Sequence, residues 1–260
     1  MSERLLAGVR LEVARYAPRR TGAGAGARPT LVFLHEGLGS VGLWRDFPQA
    51  LAEASGCAAF AYSRRGYGRS DPVSLPRSLS FMEEEARTTL PALLAAEGIE
   101  DAVLVGHSDG ASIALLYAGE SSVRIRALVL EAPHVFVEEC CVVAIARARE
   151  SFRSGDLRAR LARHHGANID GAFYGWADVW LDPGFRGWNI ERVLGRINVP
   201  TLVIQGEEDE YGTLAQVESI QRNAAGAVER LVLRDCGHAP HRDQREATLA
   251  AMARFIRKLA

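Results

Sequence analysis

Short runs of apolar residues recur along this chain, and each is followed by a longer segment with a different spacing of apolar residues. The runs that predict strands cover residues 9–16, 30–34, 58–62, 102–105, 127–130, 201–204 and 231–233. The later runs are nearly continuous in apolar residues, which is typical of parallel strands buried on both faces. The first run alternates apolar and polar residues, which predicts an edge strand.

The segments between these runs have the spacing of amphipathic helices. Helices are predicted near residues 43–54, with Pro48 close to the start, near residues 81–97, after Gly110, and over residues 249–259. Strands and helices that alternate in this way predict an α/β fold whose parallel sheet is covered on both faces.

One segment breaks this alternation, because about seventy residues before the strand at 201–204 show helical and aromatic signals but no clear strand. A helical cap is therefore predicted at residues 135–196, inserted into a core formed by residues 1–134 and 197–260. The glycine-rich residues 21–27 are interpreted as a loop of the core rather than a linker.

Aromatic residues are concentrated in the second half of this cap, namely Phe173, Tyr174, Trp176, Trp180, Phe185 and Trp188. They can line a substrate pocket, or they can pack the cap against the sheet domain, since large apolar side chains dominate any core. Both interpretations stay open. Trp176 and Trp180 are one turn apart and are expected to share a helix face.

The balance of basic and acidic residues limits the kinds of partner that are expected. The chain has 260 residues with 31 Lys and Arg against 32 Asp and Glu, a formal net charge of -1. This balance provides no broad field that would attract nucleic acid or an anionic membrane. The expected partner is a small-molecule substrate, and the sequence leaves open whether the protein forms a homo-oligomer.

The cysteines and the apolar segments indicate the cellular compartment in which the protein is expected. Cys57, Cys140, Cys141 and Cys236 match neither a metal-site spacing nor a disulfide scaffold, so reduced thiols are expected. The N-terminal segment carries charges inside its only apolar stretch and lacks a signal-peptide core. No apolar run is long enough to span a membrane, and we expect a cytoplasmic protein.

The strand predicted at residues 102–105 leads directly into Gly106-His107-Ser108-Asp109-Gly110, which has the pattern Gly-x-Ser-x-Gly. Between a buried strand and a helix this pattern forces a tight turn, because side chains at the flanking glycines would collide with the neighbouring strand and helix. The turn leaves the serine oxygen exposed at the carboxyl edge of the sheet. This context makes Ser108 a candidate nucleophile.

A serine nucleophile needs a base and an orienting acid, which here should follow it in the order acid, then histidine. The loop after the strand at 201–204 offers Glu207, Glu208, Asp209 and Glu210. The loop after the strand at 231–233 contains His238. Because the carboxyl ends of parallel strands share one edge of the sheet, these loops are expected to converge on Ser108.

With these motifs, the chain resembles the α/β-hydrolase superfamily, particularly its cap-bearing branch of esterases, carbon-carbon hydrolases and proline-iminopeptidase-like enzymes. The resemblance rests on Leu34-His35-Glu36-Gly37-Leu38-Gly39, Arg65-Gly66-Tyr67-Gly68-Arg69-Ser70, Gly106-His107-Ser108-Asp109-Gly110, Gly206-Glu207-Glu208-Asp209 and Gly237-His238, in family order. It implies a mostly parallel sheet of about eight strands with a small helical cap inserted after the sixth. It also implies that Asp209 is the triad acid and His238 the base.

The resemblance further implies an oxyanion hole formed by the backbone N–H groups of Asp109 and Gly37. The family usually has glycine where this sequence has Glu36, which leaves open whether Gly37 or its neighbour supplies the second N–H.

Glu36 and Asp109 place carboxylates beside the predicted oxyanion hole, and two interpretations stay open. In the first, the helix N-terminus stabilises Asp109, and Glu36 pairs with an arginine such as Arg64 or Arg65. In the second, the carboxylates shape the leaving-group side of the pocket and disfavour anionic substrates.

The histidines outside the triad receive separate interpretations. His35 and His107 are expected to be structural hydrogen-bonding residues. The candidate substrate-binding residues are Glu36, His134, Trp176 and Trp180. The pair His164-His165 and the spacing His238-x-x-His241 lack the partners of a ligand set, so neither a metal nor a cofactor is expected.

The expected activity is that of a serine hydrolase, which cleaves a carboxylic ester, including a lactone or thioester, of a small apolar or aromatic substrate through an acyl-enzyme on Ser108. The enzymatic alternative is a hydrolase of the carbon-carbon bond in a ring-cleavage diketone. The fold and triad cannot separate these reactions, because the same scaffold serves both. The alternative from another class is a small-molecule receptor without turnover.

Overall fold

The computed structural model describes residues 2–19, 28–120 and 125–259, so the predicted glycine-rich loop at 21–27 lies outside the described residues. An eight-stranded sheet in the order β1-β2-β4-β3-β5-β6-β7-β8 forms its centre. The strands are β1 (Ser2–Leu6), β2 (Val9–Tyr16), β3 (Thr30–Leu34), β4 (Ala59–Tyr62), β5 (Ala102–His107), β6 (Ala127–Glu131), β7 (Thr201–Gly206) and β8 (Val228–Leu233). The strands from β4 to β8 in this order are parallel, and β1 and β2 are antiparallel additions. The predicted α/β fold with a mostly parallel sheet is confirmed.

Helices cover both faces of the sheet. They are α1 (Phe47–Ser55), α2 (Phe81–Glu84), α3 (Leu90–Ala96), α4 (Asp109–Glu120), α5 (Glu139–Ser154), α6 (Leu157–His165), α7 (Ile169–Leu181), α8 (Glu191–Leu194), α9 (Leu214–Asn223), α10 (Pro240–Asp243) and α11 (Arg245–Arg257). A π-helical turn, Glu85–Thr89, joins α2 to α3.

Alternate residues of each buried strand supply two separate apolar cores. In β3, Leu31 and Phe33 point to the face where α1 and α11 pack together. Val32 and Leu34 point to the opposite face, which α4 covers. Both cores are therefore built from the period-two geometry of a strand that is apolar throughout.

Two predicted elements differ from the structure. The strand at 9–16 is not at the edge, because β1 pairs with it along its length, from Ser2 opposite Val13 to Leu6 opposite Val9. β1 is short and mostly solvent-exposed, so it has no apolar run to reveal it. The helix predicted near 43–54 is shorter, because Arg45 adopts a positive φ of 53° and separates a 3₁₀ turn from α1.

The segment between β6 and β7 is helical, as expected. Helices α5, α6 and α7 pack against one another, with the rings of Phe152 and Phe173 stacked at 3.7 Å. A bridge between Phe136 and Asn189 joins the two ends of the segment. Helix α8 packs instead against α4 and α9, which belong to the layer over the sheet. The division into a core and a cap at residues 135–196 stays a prediction.

Candidate active site

Ser108 occupies a sharp turn between β5 and α4, where its φ is 53°. The neighbouring glycines are required sterically. A Cβ on Gly106 would lie 2.5 Å from the carbonyl oxygen of Gly110, and a Cβ on Gly110 would lie 2.0 Å from that of Leu34. The Ser108 N–H donates to the carbonyl of Glu131 at 2.9 Å, which ties this left-handed residue to β6. The strained turn is thus held from both sides, as expected for a functional position.

His238 and Asp209 form the acid-base pair predicted from the sequence. His238 Nδ1 lies 2.8 Å and 2.9 Å from the two carboxylate oxygens of Asp209. A carboxylate accepts hydrogen bonds, so Nδ1 carries the proton and Nε2 has a free lone pair. Burial raises the pKa of Asp209, but the charge and hydrogen bond of His238 and the Tyr211 N–H outweigh it and hold the pKa below its usual value. The pair is therefore prepared to act as an oriented base.

A single cavity of about 220 Å³ brings the other predicted residues together. Ser108, His238, Glu36, Gly37, Asp109, His134, Trp176 and Trp180 all line it. Asp209 does not line it but lies against His238. Much of the remaining wall is apolar and comes from the loop after β3 and from α5 and α6, through residues that sequence reasoning missed, including Leu38, Leu43, Ile145, Leu157 and Leu161.

The aromatic residues of the insertion divide between the two interpretations. Trp176 and Trp180 line the cavity. Phe185 and Trp188 stack on each other at 5.3 Å and serve packing. Both uses therefore occur within one segment.

Gly37 and Asp109, the predicted oxyanion donors, lie on the cavity wall. Among the residues that the structure describes, neither backbone N–H donates to another backbone or side-chain group. A Cβ on Gly37 would lie 2.2 Å from Nε1 of Trp176, so the indole packs directly on this peptide and requires glycine there. The tryptophan thus limits how the loop after β3 can move.

The Asp109 carboxylate is fully buried. Its Oδ1 accepts the indole N–H of Trp180 at 3.2 Å, and its Oδ2 lies 3.8 Å from Nη2 of Arg64. Burial raises the pKa of Asp109, and the Arg64 charge opposes this effect. Asp109 is also the first residue of α4, as expected for an acid stabilised by a helix N-terminus.

Glu36 behaves differently from Asp109. Its carboxylate lies 3.6 Å from Nδ1 of His107 and remains 23% exposed. Burial opposes its ionisation, but the neighbouring histidines, His107 above all, lower the pKa of Glu36 well below its usual value. The interpretation that Glu36 pairs with an arginine is wrong, because Arg64 contacts only the backbone carbonyl of Glu36 and pairs with Asp109.

The predicted structural histidines form the expected backbone hydrogen bonds. His35 Nε2 accepts the N–H of Arg64 at 3.0 Å, and Nδ1 donates to the carbonyl of Glu36 at 2.7 Å. His107 Nε2 donates to the carbonyl of His238 at 2.6 Å and so holds the loop that carries the base.

His134 is a buried, neutral polar group beside the cavity. Burial and then the charge of His238 lower the pKa of His134 to about 3. Its ring meets Trp180 edge-on at 5.2 Å. Within the described part of the chain its buried Nδ1 has no hydrogen-bond partner.

Glu131 and His241 form a second acid-histidine pair that sequence reasoning missed. One carboxylate oxygen of Glu131 accepts the backbone N–H of His241 at 2.9 Å and its Nδ1–H at 3.0 Å. The His241 ring meets the His107 ring edge-on at 5.1 Å. The only sequence signal was an acid directly after a buried run and a histidine three positions after His238.

The described residues contain neither a metal-binding cluster nor a membrane-spanning helix. No group of three or more His, Cys, Asp or Glu residues there could hold a metal ion. No helix in the same residues is long and apolar enough to cross a membrane.

Comparison with known proteins places this arrangement in a family. The (lyso)-N-acylphosphatidylethanolamine lipase of Bos taurus is 31% identical over 109 residues, which are 42% of this chain and only 31% of the lipase. The enol-lactonase of Burkholderia xenovorans LB400 superimposes with a TM-score of 0.75 at 20% identity, over 98% of this chain and 99% of that one. The meta-cleavage product hydrolase of Pseudomonas fluorescens IP01 superimposes with a TM-score of 0.74 at 17% identity, over 100% of this chain and 98% of that one.

The sequence model of the alpha/beta hydrolase family matches residues 31–251, which include Ser108, Asp209 and His238. This match extends over most of the 260 residues and over every strand from β4 to β8. The chain therefore belongs to the alpha/beta hydrolase family.

Proposed function

We propose that this protein is a serine hydrolase that cleaves a carboxylic ester through an acyl-enzyme on Ser108. One observation carries the proposal: His238, hydrogen-bonded to Asp209 at 2.8 Å, shares a cavity with a serine held in a left-handed turn. A nucleophile, a base and an orienting acid from three strand ends meet the requirements for acyl transfer.

The reaction follows from which atoms of these groups carry a proton and which can accept one. His238 Nε2 accepts the Ser108 hydroxyl proton as the oxygen attacks the substrate carbonyl carbon. The N–H groups of Gly37 and Asp109 bind the resulting oxyanion. The imidazolium then donates its proton to the departing alkoxide, and water repeats the sequence to release the acid and free Ser108. Asp209 keeps the imidazole in its working tautomer throughout.

The cavity favours a small substrate with an apolar or aromatic part. Its wall combines leucine and isoleucine side chains with Trp176 and Trp180, while polar residues such as Glu36, His134 and Arg242 also line it. Such a surface binds by burial of apolar area, while isolated polar groups set orientation. Relatives named as a lipase and an enol-lactonase support an ester bond.

A carbon-carbon hydrolase is the second candidate. His134 supports it, because it lines the cavity and a neutral imidazole can donate a hydrogen bond to the second oxygen of a diketone. The fold-level similarity to a meta-cleavage product hydrolase is compatible with this reaction.

A fluorophosphonate probe tests the proposal directly. We expect modification of Ser108, identified by peptide mass spectrometry, in the folded protein and in Ser112→Ala, and none in Ser108→Ala. A panel of p-nitrophenyl esters, thioesters and vinylogous diketones then identifies the bond. Turnover of diketones alone would replace the ester proposal by the second candidate. Absence of Ser108 modification would favour a receptor without turnover.

A further inference from the structure

Arg64 is a buried cation that the proposed reaction does not use. It lies in the loop after β4, and its side chain is 1% exposed. It is absent from the cavity wall, so it cannot contact a substrate held there. Burying a charge costs free energy unless the charge is paired and hydrogen-bonded. The partners of Arg64 therefore indicate what its charge does in the fold.

Two nitrogens of Arg64 bind the loop that carries Gly37. Nη1 donates to the carbonyl of His35, and Nη2 donates to the carbonyl of Glu36 at 3.0 Å. The carbonyl of Glu36 and the N–H of Gly37 belong to one planar trans peptide unit, in which they point in opposite directions. His35 Nδ1 and the Gly39 N–H donate to the same carbonyl at 2.7 Å and 3.1 Å, so Arg64 shares the task of holding it. Holding this carbonyl sets the direction of the Gly37 N–H.

The same guanidinium also faces the other predicted donor. Nη2 lies 3.8 Å from the carboxylate of Asp109, whose backbone N–H is the second oxyanion donor. An uncompensated Asp109 carboxylate would repel a negative charge that develops beside it. Arg64 thus links the two halves of the oxyanion hole and balances the acid that one of them carries.

We propose that Arg64 is a positioning residue for the oxyanion hole, acting through the Glu36–Gly37 peptide. This inference rests on the proposed serine hydrolase function. The planar guanidinium suits the task, because its fixed fork of donors reaches two carbonyls and a carboxylate at once, whereas a lysine ammonium is a single point charge. The face of Tyr67, 4.9 Å from the guanidinium carbon, supports the fork from one side.

Arg64→Met and Arg64→Lys test this role, with Arg77→Met as a matched control. Arg77 lies on the same Tyr67 ring at 5.1 Å and donates to the hydroxyl of Tyr67 and the carbonyl of Arg65, and among the described residues none of its hydrogen bonds reaches the loop after β3. We expect kcat to fall about 10- to 100-fold in Arg64→Met, less in Arg64→Lys, and less than about threefold in Arg77→Met. KM should change less than about threefold, because the oxyanion forms only in the transition state.

An inhibitor pair separates positioning from a general loss of structure. A trifluoromethyl ketone adds to a nucleophilic serine as an anionic hemiketal, and the matching methyl ketone serves as the ground-state control. In Arg64→Met the trifluoromethyl ketone should lose affinity by the same factor as kcat, while the methyl ketone should not. Equal losses for both ketones, or none for either, would overturn the positioning role.

The double variant Arg64→Met/Asp109→Asn removes the buried pair together and guards against misfolding of the single variant. If Arg64 positions the peptide, the double variant stays at least about tenfold slower than wild type. Recovery to the wild-type rate would overturn the inference, since charge balance would then be the only role of Arg64. Failure of the proposed serine hydrolase function can be told apart from failure of the Arg64 role. If the proposed function is wrong, Ser108 of the wild-type protein does not react with the fluorophosphonate.

Discussion

Trp180, on helix α7, donates its indole N–H to the carboxylate of Asp109, the residue after Ser108, at 3.2 Å. Trp176, one turn earlier on the same helix, packs on Gly37. One helix face therefore contacts both predicted oxyanion donors. The helical insertion between β6 and β7 thus contacts both residues proposed to form the oxyanion hole, and a displacement of α7 would change their surroundings as well as part of the cavity wall.

Replacing Trp180 by phenylalanine tests whether its contact with Asp109 affects stability and the reaction. The smaller phenyl ring loses part of the packing of the indole, and one oxygen of the buried Asp109 carboxylate loses its hydrogen bond, which alone should lower the free energy of unfolding by roughly 1–3 kcal/mol and also lower kcat. Urea unfolding and steady-state kinetics measure both effects. Trp188→Phe is the control, because Trp188 donates to the partly exposed Glu83 at 3.3 Å, outside the cavity wall. Equal losses of kcat in Trp180→Phe and Trp188→Phe would contradict a specific role of the contact between Trp180 and Asp109.

Replacing Asp209 by asparagine tests the assignment of the triad acid. The amide can donate to the imidazole and favour the wrong tautomer, so kcat should fall by about four orders of magnitude. Glu208→Gln is a matched control in the same loop and should retain most activity. A larger loss in Glu208→Gln than in Asp209→Asn would reassign the acid. Far-ultraviolet circular dichroism checks that both variants remain folded.

The loops that carry the proposed triad could be predicted, because each follows a strand with a strong local signal. Ser108 comes directly after β5, Asp209 and His238 lie in the loops after β7 and β8, and strand ends of a parallel sheet meet at one edge. The sheet class followed from the same alternation. Strand β1 could not be predicted, since its five residues are mostly exposed and gain their order only by pairing with β2.

The pairs that support the site could not be predicted, because each joins residues far apart in the sequence. Glu131 and His241 are 110 positions apart, and Trp180 and Asp109 are 71 apart. Asp109 showed the limit of local reasoning most clearly. Its acidic side chain suggested either a helix-start residue or a charge facing the substrate, and only the positions of Arg64 and Trp180 show that the carboxylate is buried against these two side chains.

Replacing Glu131 by glutamine tests the buried pair beneath the site. Burial raises the pKa of Glu131, but the charge and hydrogen bonds of His241 outweigh it and lower the pKa below its usual value. A carboxyl whose folded pKa is depressed contributes stability fully above its unfolded pKa, about 4.3, and loses it as the pH falls through the folded pKa. The variant should therefore be less stable near neutral pH by about 1–3 kcal/mol, and the difference should shrink in acid.

Urea unfolding of wild type and Glu131→Gln across this pH range measures the effect. Glu229→Gln removes an exposed ion pair with Lys258 and should change stability by less than about 1 kcal/mol. A difference between wild type and Glu131→Gln that stays constant with pH would show that the pair does not titrate as described.

Glu36 remains the one carboxylate that can act on substrate charge, because Asp109 is buried against Arg64 while Glu36 lines the cavity and is partly exposed. Glu36→Gln keeps the size of the side chain and removes the charge. A unit charge at about 4 Å contributes about 1 kcal/mol even in water, so the preference for neutral over anionic esters should fall roughly fivefold.

The measurement is kcat/KM for two p-nitrophenyl esters, one of a short dicarboxylic acid and one of the matching monocarboxylic acid. His107 modulates the result, because its protonated ring offsets the Glu36 charge. Burial lowers the pKa of His107, but the charge of Glu36, whose carboxylate lies 3.6 Å from Nδ1, outweighs this and raises it. The discrimination against the anionic ester should therefore grow in the wild type as the pH rises through the titration of His107. It should stay flat in Glu36→Gln. A ratio of the two esters that is the same in both proteins at every pH would exclude Glu36 from substrate selection.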